Sequence, residues 1–400
     1  MNNIHAALEI GSTRTVMAVG EMDPSGRVKV LCHAAIPSFG VRKSQIFDLP
    51  QVTQSIRSVL HEIELRQKTS SKITIGNAFL AVSGQHVVAQ PFTGTVAVSG
   101  DRITADEIAA VQRSAHSMTL PKDRELLDII DQDYAVDKRG LIFNPRDMAG
   151  RVLSLNTLQV HCAGNCVHDA RTAADAAHLE IREPVFAVTC AADAVLEDYE
   201  KKNGALVIDF GGGSTGYAAY ADGYLVTTGV IGVGGDHVTN DIANAFQTTN
   251  AQAEGMKIAD ASAVAEPVTP ENARVKVERG DNPLMDNRTV SRESLNAVVN
   301  ARFLELVSII RDTLEEQDIL HRLNSGVIIT GGGAKMRNLD QLVSQVLNAS
   351  VRYGRPINVD GFEDETFPAE YATIAGALLY AHRNYEEKSI LNDLFGRFFK

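Results

Sequence analysis

The chain has 400 residues, 44% hydrophobic and 22% charged, an ordinary globular composition that excludes a collagen, a disordered tail protein and a disulfide-stapled miniprotein. Thirty-eight basic against fifty acidic residues leave a net charge of −12, a field that repels a phosphate backbone, so nucleic acid is not expected as the main partner. Four cysteines are too few for a disulfide framework and fit a reducing compartment. The start lacks a basic and apolar leader and no apolar run approaches the ~20 residues of a membrane span, so a cytoplasmic, largely soluble chain of two or three domains is expected.

The first element is a β-hairpin, Ala6–Ile10 and Thr15–Val19 around Gly11-Ser12-Thr13-Arg14, with Glu9 one residue short of the glycine. The middle of the chain reads as a small α/β unit: a strand-like start, a helix from about Ala105 to Ser117, and strands near Tyr134–Val136 and Leu153–Leu158. Asp123-Arg124-Glu125 and Asp131-Gln132-Asp133 lie in it without a glycine turn or apolar pocket beside them and read as a solvated face. His161-Cys162-Ala163-Gly164-Asn165-Cys166-Val167-His168 holds two thiols and two imidazoles, but a zinc knuckle needs a second ligand pair further along the chain, and nothing comparable follows. The helix after Pro184 carries Asp193 and Glu197, which sequence cannot place beside a phosphate as a general base.

Two hundred residues after Glu9 the hairpin recurs: Ala205–Phe210 with Asp209 near its end, Gly211-Gly212-Gly213-Ser214-Thr215, then Gly216–Tyr220. The chain reads as internally duplicated. Glycines let main-chain N–H groups approach an oxyanion, hydroxyls add donors, and a carboxylate holds Mg²⁺ through water, so each copy suits a phosphate and metal loop. Gly211-x-Gly213-x-x-Gly216 formally satisfies the dinucleotide fingerprint, but a helix must come next, and Tyr217–Tyr220, the Asp222-Gly223 turn and Tyr224–Thr228 are strands. From 260 to 287 the chain is rich in Ala, Pro, Glu and Asn, as loops are. A third glycine cluster, Gly331-Gly332-Gly333-Ala334, follows the strand Val327–Thr330 and precedes a helix with Leu339, Leu342, Val343 and Val346 on one face, a seat for an anion or nucleoside. The C-terminus places Ile390, Leu391, Leu394, Phe395, Phe398 and Phe399 as a helical stripe that must be buried somewhere.

Three glycine loops closing strands, two with carboxylates, describe an α/β actin-like ATPase clamp of two duplicated halves around a nucleotide cleft. Val233-Gly234-Gly235-Asp236-His237-Val238-Thr239-Asn240-Asp241-Ile242 resembles the signature of the FtsA family, bacterial actin homologues of the division ring. Ala253–Ile258 resembles that family's nucleoside-contacting helix and Tyr371–Tyr380 its closing helix. Phe79–His86, Gly100–Thr104, Asp106–Ile108, Val136-Asp137 and Pro145–Gly150 resemble the small subdomain inserted in that family, which the pilus protein PilM also carries in similar form. The implied boundaries are 1–85, 161–202 and 369–385 for the first half, 86–160 for the insert, 203–230, 231–302 (the tip) and 303–368 for the second half, and 386–400 for linker and tail.

The resemblance implies ATP bound by Gly11, Ser12, Thr13, Arg14, Gly211, Gly212, Gly213, Ser214, Thr215, Gly234, Gly235, Glu254, Lys257, Gly331, Gly332, Gly333 and Ala334, with Mg²⁺ held through water by Glu9 and Asp209. The family usually has Asp at the position of Glu9 and lysine at that of Arg14, changes that disturb hydrolysis more than binding, so at most a slow ATPase is expected. It further implies self-assembly into filaments and docking of later division proteins on the insert. The C-terminal peptide of the tubulin homologue FtsZ is expected against Arg288, Arg292 and Arg302, with Lys276 nearby. Ile390, Leu391, Leu394, Phe395, Arg397, Phe398, Phe399 and Lys400 would lie on anionic lipid at the inner face of the cell membrane. Two alternatives stay open: a PilM-like platform for pilus assembly and a phosphotransferase of the sugar-kinase type.

Overall fold

The computed structural model describes residues 4–23, 25–67, 73–267, 269–277, 288–362 and 366–383. The expected duplication is present in the sheets. The first half has the strand order Glu180–Phe186, Asn77–Val82, Ile4–Ile10, Arg14–Met22, Val28–Pro37, with the short Val359–Asp360 at its edge. The second has Val351–Tyr353, Val327–Thr330, Ala205–Phe210, Thr215–Ala221, Tyr224–Ile231 in the same order. In both, the first three strands in sequence are antiparallel and the later strands add in parallel on the far side of the first. Central strands covered on both faces read as continuous apolar runs, and Ala205-Leu206-Val207-Ile208 is fully buried.

Two helices join the halves. Helix Ala187–Val195 is made almost wholly of small apolar residues and touches strands of both sheets, Asn77–Val82 and Glu180–Phe186 in one, Ala205–Phe210 and Thr215–Ala221 in the other. Against it packs the closing helix, residues 372–383, which follows the turn Pro368–Tyr371. The second half carries helices Gly235–Phe246, Asn250–Ala259 and Arg292–Glu316; the last buries Leu295, Val299, Phe303, Leu306, Ile310 and Leu314 at helical spacing, and Ser291 caps its first turn. Within the loop-rich stretch from 260, Arg274–Lys276 pairs with Thr289–Ser291; residues 278–287 lie outside the described residues.

The insert enters after Val82 as a sheet ordered Val88–Ala97, Val152–Ala163, Arg124–Val136, Arg139–Ile142, with helix Ala105–Ala115 packed on it. It has its own small core of Ile103, Val111, Ala115, Val136, Ile142, Leu153 and Leu155. The strands expected near Tyr134 and Leu153 are much longer than their apolar cores suggest. The helix after the insert starts at Gly164, whose N–H is anchored on Asp123 O at 2.8 Å, and no side-chain cap marks the start. Cys166 and His168 are therefore helical, while His161 Nδ1 accepts from Arg124 Nε at 2.9 Å. Arg124 also donates to His86 O and His161 O, stitching together the two strands through which the insert is attached. The insert also reaches the second half: Gln132 Nε2 donates to Leu225 O at 2.7 Å and Phe143 stacks on Tyr224 at 5.1 Å.

The tail residues named above, 390–400, lie outside the described residues. No described helix is long and apolar enough to cross a membrane.

The joint between the helices is so close that a Cβ on Gly376 would sit 1.7 Å from Cys190 O. Gly376→Ala should destabilise the protein by roughly 1–3 kcal/mol, although alanine is the better helix former by about 1 kcal/mol. A urea midpoint raised by this substitution would show the contact to be absent.

Candidate functional site

The two hairpins turn in the same way. Gly11 N–H donates to Arg14 O at 3.0 Å and Gly211 N–H to Ser214 O at 3.0 Å, with Glu9 opposite Val16 and Asp209 opposite Gly216 in the flanking ladders. They meet tip to tip. A Cβ on Gly212 would lie 2.0 Å from Thr13 Oγ1, and one on Gly213 would lie 2.2 Å from Ser12 Oγ. Ser44, on the short hairpin Val41–Arg42 and Gln45–Ile46, binds both tips: its N–H donates to Ser12 Oγ at 2.8 Å and its hydroxyl lies 2.9 Å from Ser214 Oγ. Ser83 adds a fourth hydroxyl, 3.3 Å from Ser214 Oγ.

The segment Gly234–Asp236 backs the second loop. Gly235 N–H donates to Gly211 O and Asp236 N–H to Gly212 O, at 3.0 and 2.9 Å, an approach so close that a Cβ on Gly234 would meet both carbonyls at 2.5 Å. Thr13 Oγ1 donates across the cleft to Asp236 Oδ1 at 3.3 Å. Lys257 Nζ donates to Gly235 O at 3.1 Å and pairs with Glu254 at 2.7 Å, so both expected helix residues stand beside this loop. Gly331 has φ +83°, a left-handed backbone that suits glycine, and its N–H donates to Ala369 O. The loop continues as a 3₁₀ turn, Gly332–Lys335, and the α-helix begins only at Leu339; the expected seat at an α-helix N-terminus is instead a 3₁₀ turn.

Two expected ligands face elsewhere. Thr215 is fully buried and its hydroxyl donates to Val233 O at 2.8 Å; Ala334 is buried in the core of the second half. Thr15, the counterpart of Thr215, is likewise buried, with its hydroxyl 2.7 Å from Ser38 Oγ. Asp193 is held by Lys201 at 2.7 Å and Arg383 at 2.6 Å, and Glu197 caps helix Asp198–Asn203, so neither is available as a base. Among the basic residues expected to meet a peptide, Arg302 is spent on Asp241 and Glu305, Arg292 on Asp260, and Arg288 on Phe246 O.

Glu9 and Asp209 both lie at the bottom of the cleft. Burial pushes the Glu9 carboxyl up to about 7, with the neighbouring Asp209 charge acting the same way and Arg14 opposing it. Burial also raises Asp209, against hydrogen bonds from Thr330 at 3.2 Å and from Thr373 of the closing helix at 3.3 Å. Arg14 is turned to Glu370, 2.6 Å away, which Lys335 also reaches at 2.8 Å. A coupled carboxylate pair short of positive charge fits a hydrated Mg²⁺, and since no described group of three His, Cys, Asp or Glu side chains is placed to hold a metal directly, water would complete the shell. A cavity of about 740 Å³ lies elsewhere, between Arg311, Asp318, Asn348 and Ser350, and shares no residue with the glycine loops.

Ser44, Ser83, Thr373 and Glu370 were not named from sequence, because no local pattern distinguishes them; only the fold carries them to the cleft. Asp236 could have been found, since it stands inside the Gly234-Gly235 motif already singled out.

Duplicated α/β halves that close glycine hairpins on one another define the actin-like class of folds. A family model described as "Cell division protein FtsA" matches residues 206–376, and one described as "SHS2 domain inserted in FTSA" matches residues 84–161. The cell division protein FtsA of Pseudomonas aeruginosa is 30% identical over 374 residues, covering 93% of this chain and 88% of its own length. The chain belongs to the FtsA family of cell division proteins. Among solved structures, a PilM-PilN type IV pilus biogenesis complex aligns with TM-score 0.65 at 18% identity, over 94% of this chain and 98% of that one. MreB 5 of Spiroplasma citri bound to AMPPNP aligns with TM-score 0.53 at 16% identity, over 98% of this chain and 99% of that one.

The Glu9 shift sets a pH dependence. A carboxyl raised in the folded state binds more protons than the unfolded chain between about 4.5 and 7, so its contribution to stability falls as pH rises through that window. In the magnesium-free protein, Glu9→Gln should therefore be more stable than wild type by roughly 3 kcal/mol at pH 8, with the gap shrinking towards pH 5. Urea titrations at three pH values check this; a gap independent of pH would remove the buried, shifted carboxyl.

Proposed function

We propose that this chain is an ATP-binding, self-assembling division protein that ties the FtsZ ring to the inner face of the cytoplasmic membrane. The observation that carries the reading is the pair of matching glycine hairpins facing each other tip to tip, each with a half-buried carboxylate two residues before its first glycine. Main-chain N–H groups of Ser12 and Thr13 and of Gly212 and Gly213 would meet phosphate oxygens, and Arg14 would leave Glu370 to add a charged fork. Glu9 and Asp209 would hold Mg²⁺ through water, neutralising phosphate charge when it is bound. Gly331–Gly333 would border the nucleoside, with Glu254 and Lys257 beside the second loop. Asp193 and Glu197 being committed to structure, turnover is slow at best, and occupancy acts as a switch.

FtsA family membership supports the division role. The apolar stripe Ile390–Phe399 with Arg397 and Lys400 supports lipid attachment, and a filament that presents many such tails would bind firmly where one copy binds reversibly. Lys276, at the end of the short strand pair in the second half, is the basic side chain offered to an acidic, apolar FtsZ peptide; Arg288, Arg292 and Arg302, each already bonded, would act by shaping that surface. The insert would receive later division proteins.

Isothermal titration with ATP and Mg²⁺ tests the core of the reading. Wild type should bind, and Gly213→Val, which forces the tips apart, should abolish the heat while leaving the circular dichroism spectrum intact; a wild-type chain that takes up no ATP would end the proposal. Deleting Ser389–Lys400 should reduce co-sedimentation with anionic liposomes by at least about tenfold, given several partly buried apolar side chains. An unchanged bound fraction would remove the tether.

A further inference from the structure

The short hairpin Val41–Ile46 belongs to none of the glycine loops, yet its tip is wedged between them. Its two central residues, Lys43 and Ser44, have φ of +50° and +59°, the left-handed pair that a two-residue hairpin turn requires and that glycine and asparagine adopt more readily. The turn lies against the two glycine tips. Ser44 bonds to Ser12 on one side and Ser214 on the other, and Lys43 Cα lies so near the second loop that a Cβ on Gly213 would come within 2.9 Å of it. The backbone of Lys43, on the first half, is thereby set against the second loop.

The direction of the Lys43 charge can be read from its neighbours. His237, in the first turn of helix Gly235–Phe246, is held below its ordinary range by burial, and Lys43 is the foremost of the charges that act in the same sense. Arg14, Lys257 and Lys335, the other basic side chains around the cleft, each have a carboxylate partner within 3 Å; Lys43 has no ion pair among the described residues. The contacts also set an order along the cleft. Arg14 stands by Gly332 of the third loop, Thr13 by Gly212, and Ser12 by Gly213 and Lys43. With the nucleoside beside the third loop, Lys43 stands at the opposite end.

We infer that Lys43 is a specificity-determining residue of the cleft, placed by its hairpin so that its ammonium grips the terminal phosphate of a nucleoside triphosphate. This rests on the nucleotide reading above and deepens it: the hairpin Val41–Ile46 is the part of the site that distinguishes a triphosphate from a diphosphate. The hydroxyls of Ser44, Ser83 and Ser214, which bond to one another, and that of Ser12, which accepts from Ser44 N–H, turn to the same phosphate oxygens. A compact ammonium suits this end, since it donates to oxygens from any direction.

The test uses the full chain, with ATP and ADP titrated in the presence of Mg²⁺ into wild type, Lys43→Asn and Lys43→Arg. Asparagine tolerates the left-handed backbone and removes the charge, so the hairpin is preserved; an unchanged melting temperature verifies this. Loss of a charge-assisted contact to phosphate should weaken ATP binding by Lys43→Asn about tenfold and ADP binding by less than about twofold, while Lys43→Arg stays within about threefold of wild type for both. Equal losses for the two nucleotides, or no loss, with wild type binding both, would overturn this assignment alone. A wild-type chain that binds neither nucleotide would overturn the nucleotide reading beneath it.

Discussion

Glycine main chain lies against small side chains across the cleft, and the rest of the structure serves that close approach. At Gly212, Gly213 and Gly234 the space where a Cβ would stand is already filled by Thr13, Ser12 and the carbonyls of the second loop. Such proximity requires two sheets whose first hairpins end at the same level, which duplication supplies. It also requires a thin, stiff joint. Helix Ala187–Val195 supplies it with alanines against both sheets, and the closing helix meets it backbone to backbone at Gly376. Larger side chains at that joint would set the halves apart, and hydroxyls that now touch would face water.

The same closeness creates an electrostatic debt. Glu9 and Asp209 are both half-buried and repel each other, and the nearest cation, Arg14, is shared with the buried carboxylate of Glu370. Low dielectric amplifies each of these interactions. Asp209 is partly relieved by the hydroxyls of Thr330 and Thr373; Glu9 answers first to burial and then to the Asp209 charge, with Arg14 opposing both, and its carboxyl moves to about 7. A site so short of positive charge is suited to a cation that arrives with its ligand.

The sheets and both hairpins were legible because their signals are local: period-two or continuous apolar runs, a glycine at each turn, and a 200-residue spacing between two like sequences. The insert was legible by the same rules, though its strands run well past their apolar centres, since pairing with a neighbour extends a strand through polar residues such as Asp131-Gln132-Asp133. What stayed hidden depends on packing. Gly164 begins a helix because a distant carbonyl receives its N–H, and nothing nearby announces it. Thr215 looked like a phosphate ligand beside Ser214, but successive residues of a strand point to opposite faces, and its face is the core. Lys43 is invisible in a line of residues, for its place is defined by loops thirty and a hundred and seventy positions away.

Insert and cleft are physically continuous. Asp128 on the insert strand Arg124–Val136 has its carboxyl pushed up to about 6, chiefly by burial and then by Asp193 and Glu183, groups of the first-half core. Asp193 in turn pairs with Arg383 at the described end of the closing helix, and the start of that helix places Thr373 on Asp209. Rigid helices transmit small displacements along their length, and a packed core permits few intermediate positions. Thr373 at the carboxylate pair and Arg383, ten residues on, thus stand on one helix. The insert's second anchor, Gln132 on the carbonyls of Leu225 and Val226, is on the edge strand of the other half, so a change in the angle between halves strains it directly. The inserted sheet thus has one carboxylate in the field of the charges that the closing helix holds and one hydrogen-bonded anchor on the second half.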